Sequence, residues 1–166
     1  MGHGPGDGEF EQRTRGRRWF PERGLHLVDI ENLVGASLPS LSEVCRARHL
    51  YAHRVDFGDM DQVEVASSHL TLENAAFGWP HAHYRTRSGH DGADLALLDV
   101  LQHENVAERF TQVVIGSGDH LFVEAAEYLH NLGIWVTVVS RRDSLSRRLA
   151  CAADEVIILD SVAEAA

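Results

Sequence analysis

The stretch that most constrains the fold is Val113-Val114-Ile115-Gly116-Ser117-Gly118-Asp119, followed by an amphipathic run from Leu121 to Leu132. An apolar run entering Gly-Ser-Gly reads as a buried strand and a tight turn. The run beyond reads as a helix with a carboxylate in its first turn. A second apolar strand, Leu25-His26-Leu27-Val28, also ends on an aspartate, Asp29. Ligands of open α/β sheets bind beyond the carboxyl ends of the strands. Two strands that deliver acids to that edge point to a metal site.

Between and after these strands the pattern alternates. The spacing of Leu41, Val44, Cys45, Arg48 and His49 predicts a helix over about Ser40–Val55. Gln62–Ala66 alternates as a strand, and a short helix from about Ser68 stops at Gly78-Trp79-Pro80. His81–Thr86 reads as a strand and Asp91–Glu104 as a helix with acids in its first turn. A strand at Ile134–Val139, an arginine-rich loop and short helix over Ser140–Ala152, and a strand at Val156–Leu159 complete the pattern. Strands alternating with helices predict a single-domain, three-layer α/β fold around a mostly parallel sheet. The domain is expected over 25–160, with a flexible tail at 1–24 and a short one at 161–166. The first tail carries Arg13, Arg15, Arg17 and Arg18 before Trp19-Phe20-Pro21. It is expected to be loosely ordered, or to be an arm that grips a nucleic-acid backbone and stacks on a base.

The chain has 166 residues, enough for one sizeable core. No apolar run approaches the ~18 residues a membrane span needs, and the N-terminus lacks a signal-peptide core, so a cytoplasmic protein is expected. Cys45 and Cys151 have no metal or disulfide spacing and are expected to be buried, reduced thiols. All 15 basic residues are arginine, which fits a GC-rich genome and excludes lysine catalysis. A formal charge of −10 excludes a general nucleic-acid coat. It is compatible with a nucleic-acid enzyme whose acidic centre holds divalent cations.

The acidic candidates are Asp29, Asp91, Asp94, Asp99 and Asp119, with Asn32 three residues after Asp29. Asp91 and Asp94 share one helix face by their spacing. Asp99 turns away from Asp94. Carboxylate and amide oxygens suit Mg²⁺ or Mn²⁺ rather than zinc. Taken singly, each acid also fits a helix cap or a polar strand end. Gathered at one edge they are costly, because like charges raise one another's pKa until a cation neutralises them.

These motifs resemble the NYN-domain ribonucleases of the PIN-like superfamily. Leu27-Val28-Asp29-Ile30-Glu31-Asn32-Leu33 is similar to that family's opening strand and Asp-x-x-Asn. Gly92-Ala93-Asp94 through Asp99 is similar to its Gly-x-Asp helix start, and Ile115 through Phe122 to its Ser-Gly-Asp-x-Asp-Phe segment. Leu132–Val139 is similar to the strand that follows, and Ala153-Asp154 to the family's late Ala-Asp before the last strand. The resemblance spans about residues 25–160. It implies a PIN-like, Rossmann-like fold and metal-dependent hydrolysis of RNA phosphodiesters. Asp29, Asp94 and Asp119 would be ligands of Mg or Mn, and Asn32 a hydrogen-bonding partner in the catalytic site. Two positions depart from the family pattern. Leu121 stands where the second acid of Ser-Gly-Asp-x-Asp is expected, and Asp91 where a lysine precedes Gly-x-Asp. Asp91, as a further metal ligand, or Glu124 would restore the lost charge. Without it, the chain would be a catalytically weak RNA-binding or regulatory module.

The arginines placed to contact RNA phosphates are Arg85, Arg87, Arg141, Arg142, Arg147 and Arg148. His81 and His83, on one strand face, are expected to be surface histidines. His120 reads as a helix-start surface residue, and Ser67-Ser68-His69 lacks a nucleophile elbow. Gly116-Ser117-Gly118 lacks the rest of a phosphate loop. An exposed Trp79 or Trp135 in an apolar patch would favour a homodimer.

Overall fold

The strand that ends on Asp29 is the centre of the molecule. β1 (Gly24–Asp29) is buried along its whole length, with β2 (Gln62–Ser67) on one side and β4 (Gln112–Gly116) on the other, both parallel to it. The computed structural model describes residues 22–159. Outward from β2 lies β3 (His83–Thr86), and outward from β4 lie β5 (Trp135–Ser140) and β6 (Glu155–Ile158). The order is β3-β2-β1-β4-β5-β6, and every pairing is parallel. The sequence predicts a mostly parallel sheet; among the described residues it is wholly parallel.

Alternating side chains of β1 feed two cores. Leu25 and Leu27 join Val113, Ile115, Val136 and Val138 under α4 (Gly92–His103), α5 (Val106–Arg109), α6 (Val123–Asn131) and α7 (Arg147–Ala152). Val28 joins Val65, Val114 and Val139 under α1 (Ile30–Val34), α2 (Leu41–Arg54) and α3 (Leu72–Gly78). His26 shares the second face and is fully buried, yet satisfied: its ring nitrogens meet Tyr51 Oη at 2.9 Å and Asp61 Oδ2 at 3.1 Å. Buried polar groups need such partners.

Local chemistry sets the helix ends. α2 opens with a capping box between Ser40 and Glu43, and its buried stripe is Val44, Ala47 and Tyr51. Cys45 is adjacent to that stripe but outside it, and Cys151 follows the buried anchor Leu149 of α7. Both thiols are therefore exposed, contrary to the expected burial. β3 begins at His83 rather than His81, because His81 adopts a left-handed backbone, φ 66°. The two histidines thus do not share a strand face, although both are exposed. α3 starts at Leu72, four residues later than predicted, and the predicted helix from Leu121 opens as a 3-10 turn, His120–Phe122, before α6. Trp79 is buried against Tyr51, whereas Trp135 is 37% exposed at the start of β5. The arginine-rich arm and the C-terminal tail lie outside the described residues. No helix among those described is long and apolar enough to cross a membrane.

Candidate metal centre

The order reverses between β1 and β4, and this is where the acids meet. Asp29 ends β1 and caps α1, its Oδ1 accepting from Asn32 N at 3.1 Å. The Asn32 side chain crosses to the neighbouring strand, its Oδ1 accepting from Gly118 N at 3.0 Å. That bond clips the turn after β4 to the turn after β1. Asp119 follows, its Oδ1 accepting from Leu121 N at 2.9 Å.

Asp94 arrives from the other direction. The connection from β3 to β4 must pass over β2 and β1, and α4 packs on all three strands β1, β2 and β3. Its first turn consequently sits above the end of β1. The start of α4 is crowded: a Cβ on Gly92 would lie 2.2 Å from Arg87 O, so only glycine fits. Asp91, just before it, holds a left-handed backbone at φ 58° and makes no side-chain cap bond. Carboxylate oxygens of Asp91, Asp94 and Asp119 lie within 4.8 Å of one another. Asp29 joins them by a hydrogen bond shared with Asp94. The buried Ser117 hydroxyl donates to Asp94 Oδ1 at 3.5 Å and accepts from Asp119 N at 3.3 Å.

Capping accounts for one oxygen each of Asp29 and Asp119 and for nothing at Asp91 or Asp94. Among the described residues, Asp29 and Asp94 have no cationic side chain against them, and the acids' only such partners are exposed histidines. His90 Nδ1 is 2.8 Å from Asp91 and His120 Nδ1 is 3.0 Å from Asp119. Electrostatics record the strain. Burial, then the charge of Asp29 and the hydrogen bond shared with it, raise the Asp94 pKa to about 8, with Asp119 and Asp91 adding to it. Burial raises Asp29 to about 6. The metal-free pair Asp29 and Asp94 is therefore driven to retain a proton in the hydrogen bond they share. A hard divalent cation at this point would satisfy the same charges, and an oxygen-only donor set fits Mg²⁺ or Mn²⁺.

The arginines separate into two groups. Arg85 is taken up by Glu64 at 2.8 Å and Glu104 at 2.7 Å, and Arg87 lies 3.4 Å from Asp99. Arg141 pairs with Asp143 and donates to Val34 O, filling the space beside Gly35, with its Nε buried and without a partner. Arg142, Arg147 and Arg148 are exposed and have no ion pair among the described residues. Their loop is tied to the acidic edge, because Ser146 N donates to Gly118 O at 2.8 Å. The sequence reading missed Ser117 and also Glu31, whose carboxylate accepts from Ser68 N and Thr71 Oγ1. The only sequence signal for Ser117 was its place between glycines; for Glu31 there was none. Glu124 lines a groove with Leu121 and is not one of the three convergent acids.

The family model for the NYN domain matches residues 26–160. The chain belongs to the NYN domain family. That family is part of the PIN-like superfamily, in agreement with the resemblance of the motifs. The fold agrees as well. The crystal structure of a protein of unknown function from Vibrio parahaemolyticus superposes with a TM-score of 0.53 at 16% identity. The match covers 87% of this chain and 97% of that one. At that identity the likeness is one of fold alone. None of the curated proteins matches the sequence.

Proposed function

We propose that this NYN domain is a metal-dependent ribonuclease that hydrolyses RNA phosphodiester bonds. The observation that carries the reading is the convergence of Asp91, Asp94 and Asp119, joined by Asp29, with no basic residue against Asp29 or Asp94 among the described residues. A bound Mg²⁺ or Mn²⁺ would supply an activated water and charge stabilisation on the scissile phosphate. Asp29, Asp94 and Asp119 would hold it, and Asp91 would provide the charge that Leu121 does not. Asn32 and Ser117 act by orientation: they fix the backbone and carboxylate positions of the two strand ends. Arg142, Arg147 and Arg148 hold the RNA backbone from the loop tied to Gly118, since arginine forks match phosphate oxygens. Arg85 serves the fold through its carboxylate partners.

A second reading, an RNA-binding module with weak or no catalysis, is favoured by one residue, Leu121. Calorimetric titration of Mn²⁺ into wild type and Asp119→Asn, with cleavage assays on single-stranded and structured RNA, separates the two. Saturable binding lost in the variant, with metal-stimulated cleavage, is the expected result. Metal binding without cleavage of either RNA favours the second reading. No binding at all by the wild type sinks the nuclease reading.

A further inference from the structure

Between α4, α5 and α6 runs an open groove of about 560 Å³, lined by Leu98, Leu101, Val106, Tyr128 and Leu132 among others. Tyr128 is 62% and Leu132 41% exposed, so an apolar surface is left uncovered there by residues 22–159. The charged residues along it, Glu108 and Glu124, are both acidic. One end, at Val106 and Leu132, lies where the chain enters the fold. Arg23 N donates to Thr111 Oγ1 at 3.2 Å, and the Arg23 guanidinium lies over Phe110, the residue that closes α5. Trp135 N donates to Thr111 O, which brings the segment after Leu132 to the same place. The other end of the groove is Leu121, two residues past Asp119.

Residues 1–21 precede this entry point. They include Trp19 and Phe20, the cations Arg13, Arg15, Arg17 and Arg18, and no acid from Gln12 onward. An extended chain advances about 3.4 Å per residue, so Trp19 reaches to ~14 Å from Arg23 and Arg13 to ~34 Å. The stretch from Leu121 to Leu132, counted as helix, is only ~16 Å long. The arm thus starts beside the groove and is long enough to follow it. These reaches are upper limits. With a turn at Pro21, Trp19 and Phe20 would lie at the apolar end, and Arg18 to Arg13, ~17 Å when extended, would span the groove past the acids.

We infer that residues 13–20 dock in this groove of their own chain. Trp19 and Phe20 cover the Val106–Leu132 end, and the arginines run past Glu108 and Glu124 toward Leu121. Docked in this way, the arm brings guanidinium groups to the side of Asp119. Docking itself does not depend on nuclease chemistry.

The test is limited trypsin digestion of the full-length protein, with cleavage after Arg15 and Arg17 followed by intact mass. Tyr128→Glu, a change at an exposed position, and Trp19→Ser with Phe20→Ser should each accelerate cleavage about tenfold. Glu124→Arg, which leaves the apolar wall intact, should accelerate it in the same direction, whereas Tyr128→Phe should retain protection. Equal rates in all these proteins would overturn the inference. Protection that fades on dilution, in a protein that sediments as a dimer, would assign the groove to a second copy and overturn it too.

Discussion

Asp94 sits among carboxylates and, among the described residues, has no cationic side chain against it, and its behaviour under substitution follows from that. Asparagine there keeps the shape, removes the need for a proton and relieves the repulsion from Asp29, Asp119 and Asp91. Asp94→Asn should therefore raise the stability of metal-free protein at pH 8 by about 1–2 kcal/mol while abolishing Mn²⁺ binding. Paired melts and calorimetry check both; a variant less stable than wild type at that pH would mean that Asp94 is structural. Asn32 is different, because its Oδ1 satisfies Gly118 N across two strands. Asn32→Ala should cost about 1–3 kcal/mol for the unpaired donor and weaken Mn²⁺ binding some tenfold by loosening the turn that carries Asp119. Denaturant melts and calorimetry measure the two. At this scale the sequence was informative where residue type and position agreed: aspartates at the ends of apolar strands can be read directly. Ser117 was hidden, because a serine between glycines reads equally as a turn former. Cys45 was misplaced because one position on a helix separates a buried face from an exposed one.

At the scale of elements, β1, β4 and β5 were legible because strands buried on both faces read as unbroken apolar runs. α2 and α4 were legible because three or more turns give a full period. α1 and α5, of 5 and 4 residues, have no such period and went unread. What brings Asp94 to Asp29 is the crossover from β3 to β4, a long-range consequence of strand order that no local pattern states. The contact between the turn after β4 and the loop after β5 is equally non-local. A Cβ on Gly118 would lie 2.4 Å from Ser140 Oγ and Ser144 O. Gly118→Ala should accordingly destabilise the fold by about 1–3 kcal/mol and move the arginine loop off the acidic edge. Urea melts give the first effect; RNA affinity, expected to fall with it, gives the second. Arg142→Ala with Arg147→Ala should lower the slope of log affinity against log salt by about 1–2. An unaltered slope would assign both arginines to plain surface.

At the scale of the whole molecule, the proposed metal would compete with protons for one acidic edge, and that competition would set how stability responds to pH. In the unfolded chain Asp94 loses its proton near pH 3.8; in the metal-free fold it keeps it to about 8, and Asp29 to about 6. Between these limits the folded state binds more protons, so stability from this pair is lost as pH rises. His26 works in the opposite sense, because burial lowers its pKa from 6.5 and folding gains as pH rises toward that value. The carboxylates held low, Asp61 and Glu104, act further down the scale. Above pH 6.5 Asp94 contributes most of the slope, with His26 opposing part of it. Protein stripped with a chelator should lose about 1–2 kcal/mol between pH 6.5 and 8, roughly 2–8 °C in Tm for a chain of this size. Saturating Mn²⁺ should abolish that slope, because the metal-bound site carries no proton in the folded state and the unfolded aspartates carry none in this interval. Asp94→Asn should flatten it. Calorimetric melts of the three samples across that interval decide the matter. If the slope of the stripped protein persists unchanged in the variant, the acidic edge does not control it.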